Sequence, residues 1–237
     1  HVWTKIQSKM CGMRLNHFWY KRGTMNKAVF LDRDGTINVE KNYLYRIDDF
    51  EFLPGVLEGL RRFKEAGYLL IIVTNQSGIG RGYYTEKQYK ELETWMCDQL
   101  EKYGAAIDGI YYCPHLPDAK VEQYRKECNC RKPKKGMFEA AIQEYDIDVS
   151  ESIAIGDNPR DLALCENGVT TGYLVYAKEF QKETLPNIHY IEGGIEQAAS
   201  EFLEKRRQKN DGMDVSRNSG KRRSIAENQN NGIFGSG

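Results

Sequence analysis

Short apolar runs alternate with longer stretches of helical period along most of the chain. Ala28-Val29-Phe30-Leu31 is a continuous apolar run of strand length, the mark of a strand covered on both faces. Pro54-Gly55 then opens a helix with Val56, Leu57, Leu60 and Phe63 on one stripe, and Gly67 ends it. Residues 68–73 read as a second buried strand. Thr85 and Gln88 have the spacing of a capping box. The helix they start carries Tyr89, Leu92, Met96 and Tyr103, with Gly104 as its stop. Residues 109–112 predict a third strand, 137–145 a helix and 152–155 a fourth strand. Pro159 begins a helix to Asn167 that Gly168 stops, then residues 173–175 give a strand and 194–205 a last helix. This alternation predicts an α/β fold, a Rossmann-like parallel sheet with helices on both faces.

The two ends differ from this pattern. Residues 1–24 have no clear periodicity and Met25 immediately precedes the first strand, so they read as an N-terminal extension to a domain spanning 25–204. From Lys205 to Gly237 the chain is rich in Asn, Ser, Gly, Lys and Arg, too polar to bury surface that offsets ordering entropy; a disordered tail or linker stub is expected.

Composition narrows the function classes. The chain is 40% hydrophobic and 29% charged, as soluble domains are, and its 34 Lys+Arg balance 34 Asp+Glu. That balance provides no net field for nucleic acid or an anionic membrane, and neither is expected as a partner. No apolar run approaches the ~20 residues of a membrane span. The first 24 residues lack the regions of a signal peptide. With cysteines spaced as metal ligands rather than disulfide partners, this predicts a cytoplasmic protein.

In a doubly wound sheet, ligands sit at the carboxyl ends of the strands. Three predicted strands end in polar constellations: Asp32-Arg33-Asp34-Gly35-Thr36-Ile37-Asn38, Thr74-Asn75-Gln76-Ser77-Gly78, and Gly156-Asp157 followed by Asp161. Asp-x-Asp-Gly alone would pass for a turn. Here Asp32 and Asp34 repel each other at the mouth of a buried strand, and a hard cation would relieve that repulsion. Asp157 completes an oxygen-rich set suited to Mg2+. An aspartate can attack phosphorus, and a second carboxyl two residues on can protonate the leaving oxygen and then activate water. Thr74 offers a hydroxyl, and Lys132 a compact positive charge for a phosphoryl group.

A second metal set lies between these motifs. Cys113-Pro114-His115 and Cys128-Asn129-Cys130 are separated by the twelve residues 116 to 127. Three thiolates and an imidazole make a closed, four-coordinate site, which points to a structural Zn2+ that pins a loop and brings Arg131 and Lys132 toward the phosphate. Cys11, Cys97 and Cys165 fall outside the set and are expected to be free thiols.

Taken together, these residues resemble the haloacid dehalogenase superfamily of phosphatases. Asp32-Arg33-Asp34-Gly35-Thr36 is similar to its first motif, Thr74 to the second, Lys132 to the third, and Gly156-Asp157 with Asp161 to the fourth. The zinc loop narrows the resemblance, over about residues 26 to 200, to the heptose bisphosphate phosphatase branch. The resemblance implies Asp32 as nucleophile, Asp34 as general acid/base, and Mg2+ held by Asp32, the Asp34 backbone carbonyl and Asp157. It implies that Thr74 and Lys132 steady the phosphoryl group and that Arg131 recognises a small sugar bisphosphate. Glu40, Tyr43, Asn75, Gln76 and Ser77 would line the pocket of a monomeric enzyme. Asn158 stands where the branch often carries lysine; asparagine can bond substrate but supplies no charge. No large cap domain is expected, because too few residues separate Asn38 from Pro54 to hold one. A histidinol-phosphate phosphatase shares the motifs and a related zinc loop. A zinc-stabilised binding module with a decayed site would have been expected to lose Asp32, Asp34, Asp157 or Lys132, and all are present. A polynucleotide phosphatase would favour a basic groove.

Overall fold

The structure is a computed structural model that describes residues 5–6, 25–177, 187–209 and 211. Most of the N-terminal extension and of the polar tail therefore lies outside the described residues. The chain divides into two compact units, His1–Ala199 and Ser200–Gly237. The second is helical over its described residues.

The first unit is built on a seven-stranded sheet of order β1-β4-β3-β2-β5-β6-β7. Its strands are β1 (Lys5–Ile6), β2 (Ala28–Leu31), β3 (Leu69–Asn75), β4 (Gly109–Cys113), β5 (Ile153–Gly156), β6 (Thr171–Leu174) and β7 (Ile188–Tyr190). β2 to β7 run parallel, and β1 pairs antiparallel to β4 through Lys5 and Ile6 opposite Tyr111 and Ile110. The helices are α1 (Val56–Glu65), α2 (Ser77–Arg81), α3 (Glu86–Lys102), α4 (Gly136–Tyr145) and α5 (residues 195–209).

Side chains alternate across the sheet, so successive strand residues reach opposite layers. Ala28, Phe30, Ile71, Val73, Tyr111 and Ala154 pack on one face with Met137, Phe138 and Ala141 of α4. Phe30 and Phe138 meet edge to face at 5.6 Å. Tyr112 points the other way and packs on Tyr89 of α3, centroids 4.6 Å apart. Both faces are covered, which is why the central strands read as unbroken apolar runs.

The Thr85–Gln88 capping box forms with both of its reciprocal bonds. Tyr103, expected on the buried stripe of α3, is instead its exposed C-terminal cap, and Leu100 completes the stripe. The predicted helix at Pro159–Asn167 is a 3-10 helix. Its first turn is tightened locally: Asn158 Oδ1 accepts from Arg160 N, and Asp161 Oδ2 accepts from Asn158 N, which competes with the regular helical ladder. β1, β7 and the five-residue α2 are elements the apolar pattern did not reveal, each too short to display a period.

Candidate active site

The order β3-β2-β5 sets the ends of three predicted motifs side by side. Leu31 lies in register with Ile72 and Ile155, so Asp32, Thr74 and Asp157 emerge at one sheet edge. Asp32 is held back to the sheet by its N–H, which donates to the Ile155 carbonyl at 3.0 Å. Gly35 turns the following loop with φ +83°, where a Cβ would stand 2.2 Å from Asp157 Oδ2. Only glycine lets this loop close over Asp157.

Lys132 reaches into this edge from the loop beyond β4. Its Nζ lies 2.7 Å from Asp32 Oδ1, 2.8 Å from Asp161 Oδ1, and donates to the Val73 carbonyl at 2.6 Å. Asn75 fixes its backbone, donating to the Lys132 carbonyl at 3.2 Å and accepting from its N–H at 3.0 Å. Burial works against the ammonium, but Asp32 and Asp161 outweigh it and raise the Lys132 pKa. One ammonium does not balance three carboxylates. Burial, then Asp161, pushes Asp32 up to about 7 despite Lys132, and the same two causes push Asp157 up to about 6. Asp32, Asp157 and Asp161 bring oxygens within 4.8 Å of one another. A buried surplus of hard oxygen donors fits a divalent cation such as Mg2+. Asp161, seen in the sequence only as part of the fourth motif, belongs to this group. The Asp34 carboxylate does not.

Asp34 is turned into a ring of donors. Arg33 Nη2 donates to both of its oxygens at 2.7 Å, Asn38 Nδ2 to Oδ1 at 3.1 Å and Gln76 Nε2 to Oδ2 at 2.8 Å. Gln76 also donates to Thr74 Oγ1 at 3.1 Å and accepts from the Tyr84 hydroxyl at 2.6 Å. Arg33 Nη1 donates to Glu93 Oε1 at 2.6 Å, and both of these side chains are fully buried. Sequence reasoning missed Arg33, Tyr84 and Glu93. Glu93 left a signal: a charged residue four positions after Tyr89 and three before Met96, on the apolar stripe of α3.

The expected pocket residues divide in two. The side chains of Asn75, Gln76 and Asn158 are bonded within the protein, Asn158 as cap of the 3-10 helix. Glu40 and Tyr43 are exposed, Glu40 accepting from Asn42 N and Tyr43 meeting Tyr83 at 4.7 Å. Ser77 is half-buried at the start of α2. Arg131 is half-buried, and its Nη1 has no hydrogen-bond partner among the described residues.

Cys113, at the end of β4, meets His115, Cys128 and Cys130 with all four ligand atoms within 4.8 Å. The Cys113 sulfur is 3.6 Å from that of Cys128 and 3.2 Å from that of Cys130, and His115 Nδ1 is 3.2 Å from the latter. These spacings exclude a disulfide and are close to the ~3.8 Å edge of a tetrahedron with Zn–S bonds of ~2.3 Å. Bonds from Cys113, Cys128 and His115 lower the Cys130 thiol to about 5 against its burial. The intervening loop closes on itself, Leu116 N donating to the Tyr124 carbonyl, and ties to α2 through Val121 N and the Gly80 carbonyl. Cys97 and Cys165 form no disulfide among the described residues, and Cys11 lies outside them. Among the described residues no helix is long and apolar enough to cross a membrane.

A parallel sheet with no cap domain among the described residues, and with a lysine-bound aspartate at its central strand end, defines a phosphatase of the haloacid dehalogenase type. The family model described as polynucleotide kinase 3 phosphatase matches residues 27–182. A D-glycero-beta-D-manno-heptose-1,7-bisphosphate 7-phosphatase of Haemophilus ducreyi is 52% identical over 151 residues, 63% of this chain and 82% of that protein. The alpha-anomer enzyme of Photorhabdus laumondii is 47% identical over 150 residues, again 63% and 82%. Among solved structures, the D,D-heptose 1,7-bisphosphate phosphatase of B. bronchiseptica, complexed with magnesium and phosphate, superposes with a TM-score of 0.66. It is 29% identical, covering 76% of this chain and 99% of that one. The chain belongs to the family that the polynucleotide kinase 3 phosphatase model describes and, within the haloacid dehalogenase superfamily, to the heptose-1,7-bisphosphate 7-phosphatases; it is a phosphoric monoester hydrolase.

Proposed function

We propose that this phosphatase removes the 7-phosphate of D-glycero-D-manno-heptose 1,7-bisphosphate through a phospho-aspartate on Asp32. The observation that carries the reading is the buried Lys132 ammonium, 2.7 Å from Asp32 and 2.8 Å from Asp161, in a chain 52% identical to an enzyme of that name. Asp32 attacks phosphorus, forming the Asp32 O–P bond as the bond to the sugar oxygen breaks. Asp34 gives that oxygen its proton, then takes one from the water whose attack on phosphorus releases Asp32 and inorganic phosphate. Lys132 and the Thr74 hydroxyl hold the phosphoryl oxygens. Asp32, Asp157 and the Asp34 backbone carbonyl would hold Mg2+, with Asp161 beside them. When bound, the ion offsets the charge shared by carboxylates and phosphoryl oxygens.

The unpartnered Arg131 nitrogen is suited to the second phosphate, and Glu40, Tyr43 and Ser77 to the sugar. The Cys113–His115–Cys128–Cys130 cluster takes Zn2+ and holds the loop that delivers Arg131 and Lys132. The enzyme is read as a cytoplasmic monomer, a compartment in which these thiols stay reduced; light scattering checks the oligomeric state. Phosphate release is to be measured with both anomers of the heptose bisphosphate, histidinol phosphate and a 3′-phosphorylated oligonucleotide. One heptose anomer is expected to lead the other two compounds by at least ~100-fold in kcat/KM. Faster turnover of histidinol phosphate or the oligonucleotide overturns the assignment.

A further inference from the structure

Arg33 is the largest fully buried side chain of the fold, and a guanidinium without water must spend its donors on protein. It spends them on two carboxylates, Glu93 at 2.6 Å and Asp34 at 2.7 Å. A buried ion pair is poor value for stability alone, since apolar replacements are often neutral or stabilising. Its geometry answers a different need. Glu93 fixes the outer end of the fork, so the inner end meets Asp34 along one direction. On the other side, Gln76 presents its amide to Asp34. The Asp34 carboxylate only accepts, so the nitrogen faces it, and the Tyr84 hydroxyl, donating to Gln76 Oε1 at 2.6 Å, holds the other end of the amide in place. Room for the Tyr84 ring exists because residue 78 is glycine: a Cβ there would lie 2.2 Å from it. Tyr45 stacks on the same ring at 5.4 Å.

We propose that Glu93, acting through Arg33, and Tyr84, acting through Gln76, are positioning residues that aim the Asp34 carboxyl at the leaving-group oxygen. This rests on the acid/base role proposed for Asp34. A misplacement of ~1 Å at a reacting group costs on the order of 100-fold, so residues with no substrate contact can set the rate this way.

The test separates aim from integrity. An alkyl phosphate such as the heptose bisphosphate needs its leaving oxygen protonated, whereas p-nitrophenyl phosphate does not. The ratio of their kcat/KM values reports proton delivery up to formation of the phospho-aspartate. Asp34→Asn is expected to lower the alkyl-to-aryl ratio by about 100-fold or more. Glu93→Gln and Tyr84→Phe are expected to lower it by about 10-fold or more, with KM for the alkyl substrate moving less than about threefold. Parallel losses on both substrates, or an unchanged ratio in these two variants while Asp34→Asn shifts it, overturn the positioning role and leave the acid role standing. An unchanged ratio in Asp34→Asn overturns both. Tyr84→Phe keeps the ring and its stacking, so it decides the matter alone if Glu93→Gln does not fold.

Discussion

Asp32 and Asp34 are two residues apart and live in opposite surroundings. Asp32 is buried among Asp157, Asp161 and a single lysine, which leaves its carboxyl short of positive charge and raised to about 7. Asp34 is met by donors from Arg33, Asn38 and Gln76. Neighbouring carboxylates in unlike environments are suited to unlike tasks, here the attack on phosphorus proposed for Asp32 and the proton transfer proposed for Asp34. Asp32→Asn is therefore expected to cut turnover by on the order of 10³-fold or more, with an unchanged circular dichroism spectrum and unchanged zinc content. Retained activity in that variant would remove the nucleophile from the mechanism. The spacing of the pair is written in the sequence, but the difference between them is not. It comes from burial of Asp32 beside Asp161, which is distant in the chain, and from Gln76, 42 positions from Asp34.

At the scale of elements, α3 serves two ends. Its apolar stripe anchors it to the sheet through Tyr89 and Tyr112, and the same stripe carries Glu93 to Arg33. Its start is fixed by Thr85, whose hydroxyl accepts from Gln88 N at 3.2 Å. Thr85→Ala removes that bond from the first helical turn and is expected to cost about 1 kcal/mol in urea denaturation, with an unchanged m-value. This cap was legible beforehand because its partners are three residues apart. α2 was not, since five residues that begin inside the Thr74–Gly78 motif show no period and their loop-like composition suits either state. The Cys/His loop was legible for a different reason: ligand identity and spacing are one-dimensional facts, and few other uses of four such residues fit them.

For the whole molecule, the strand order is decisive. β3, β2 and β5 are neighbours in the sheet although β4 intervenes in the chain, and this brings the three acidic and polar motifs to one edge. The proposed metals should then separate by role. Removing Mg2+ with EDTA is expected to abolish phosphate release, to be reversed by adding the ion back, and to leave Tm nearly unchanged. Stripping the proposed zinc with a stronger chelator is expected to lower Tm by about 4–8 °C, the equivalent of roughly 2 kcal/mol in a domain of this size. Elemental analysis should find one zinc per chain beforehand, and its absence would remove the structural metal.

What the sequence determined by itself was everything carried by near neighbours: the strand and helix periods, the Thr85 cap, the Asp32–Asp34 pair and the four soft ligands. What only the tertiary structure decided was which distant side chains face those residues. Asp161 joins the carboxylate group, Gln76 turns inward to Asp34, and Glu93 pairs with Arg33 across 60 positions. Local free energies act over one or two turns of chain and leave a pattern there. Pairings between distant segments are set by how the helices pack on the two faces of the sheet, and no single stretch of sequence holds that information.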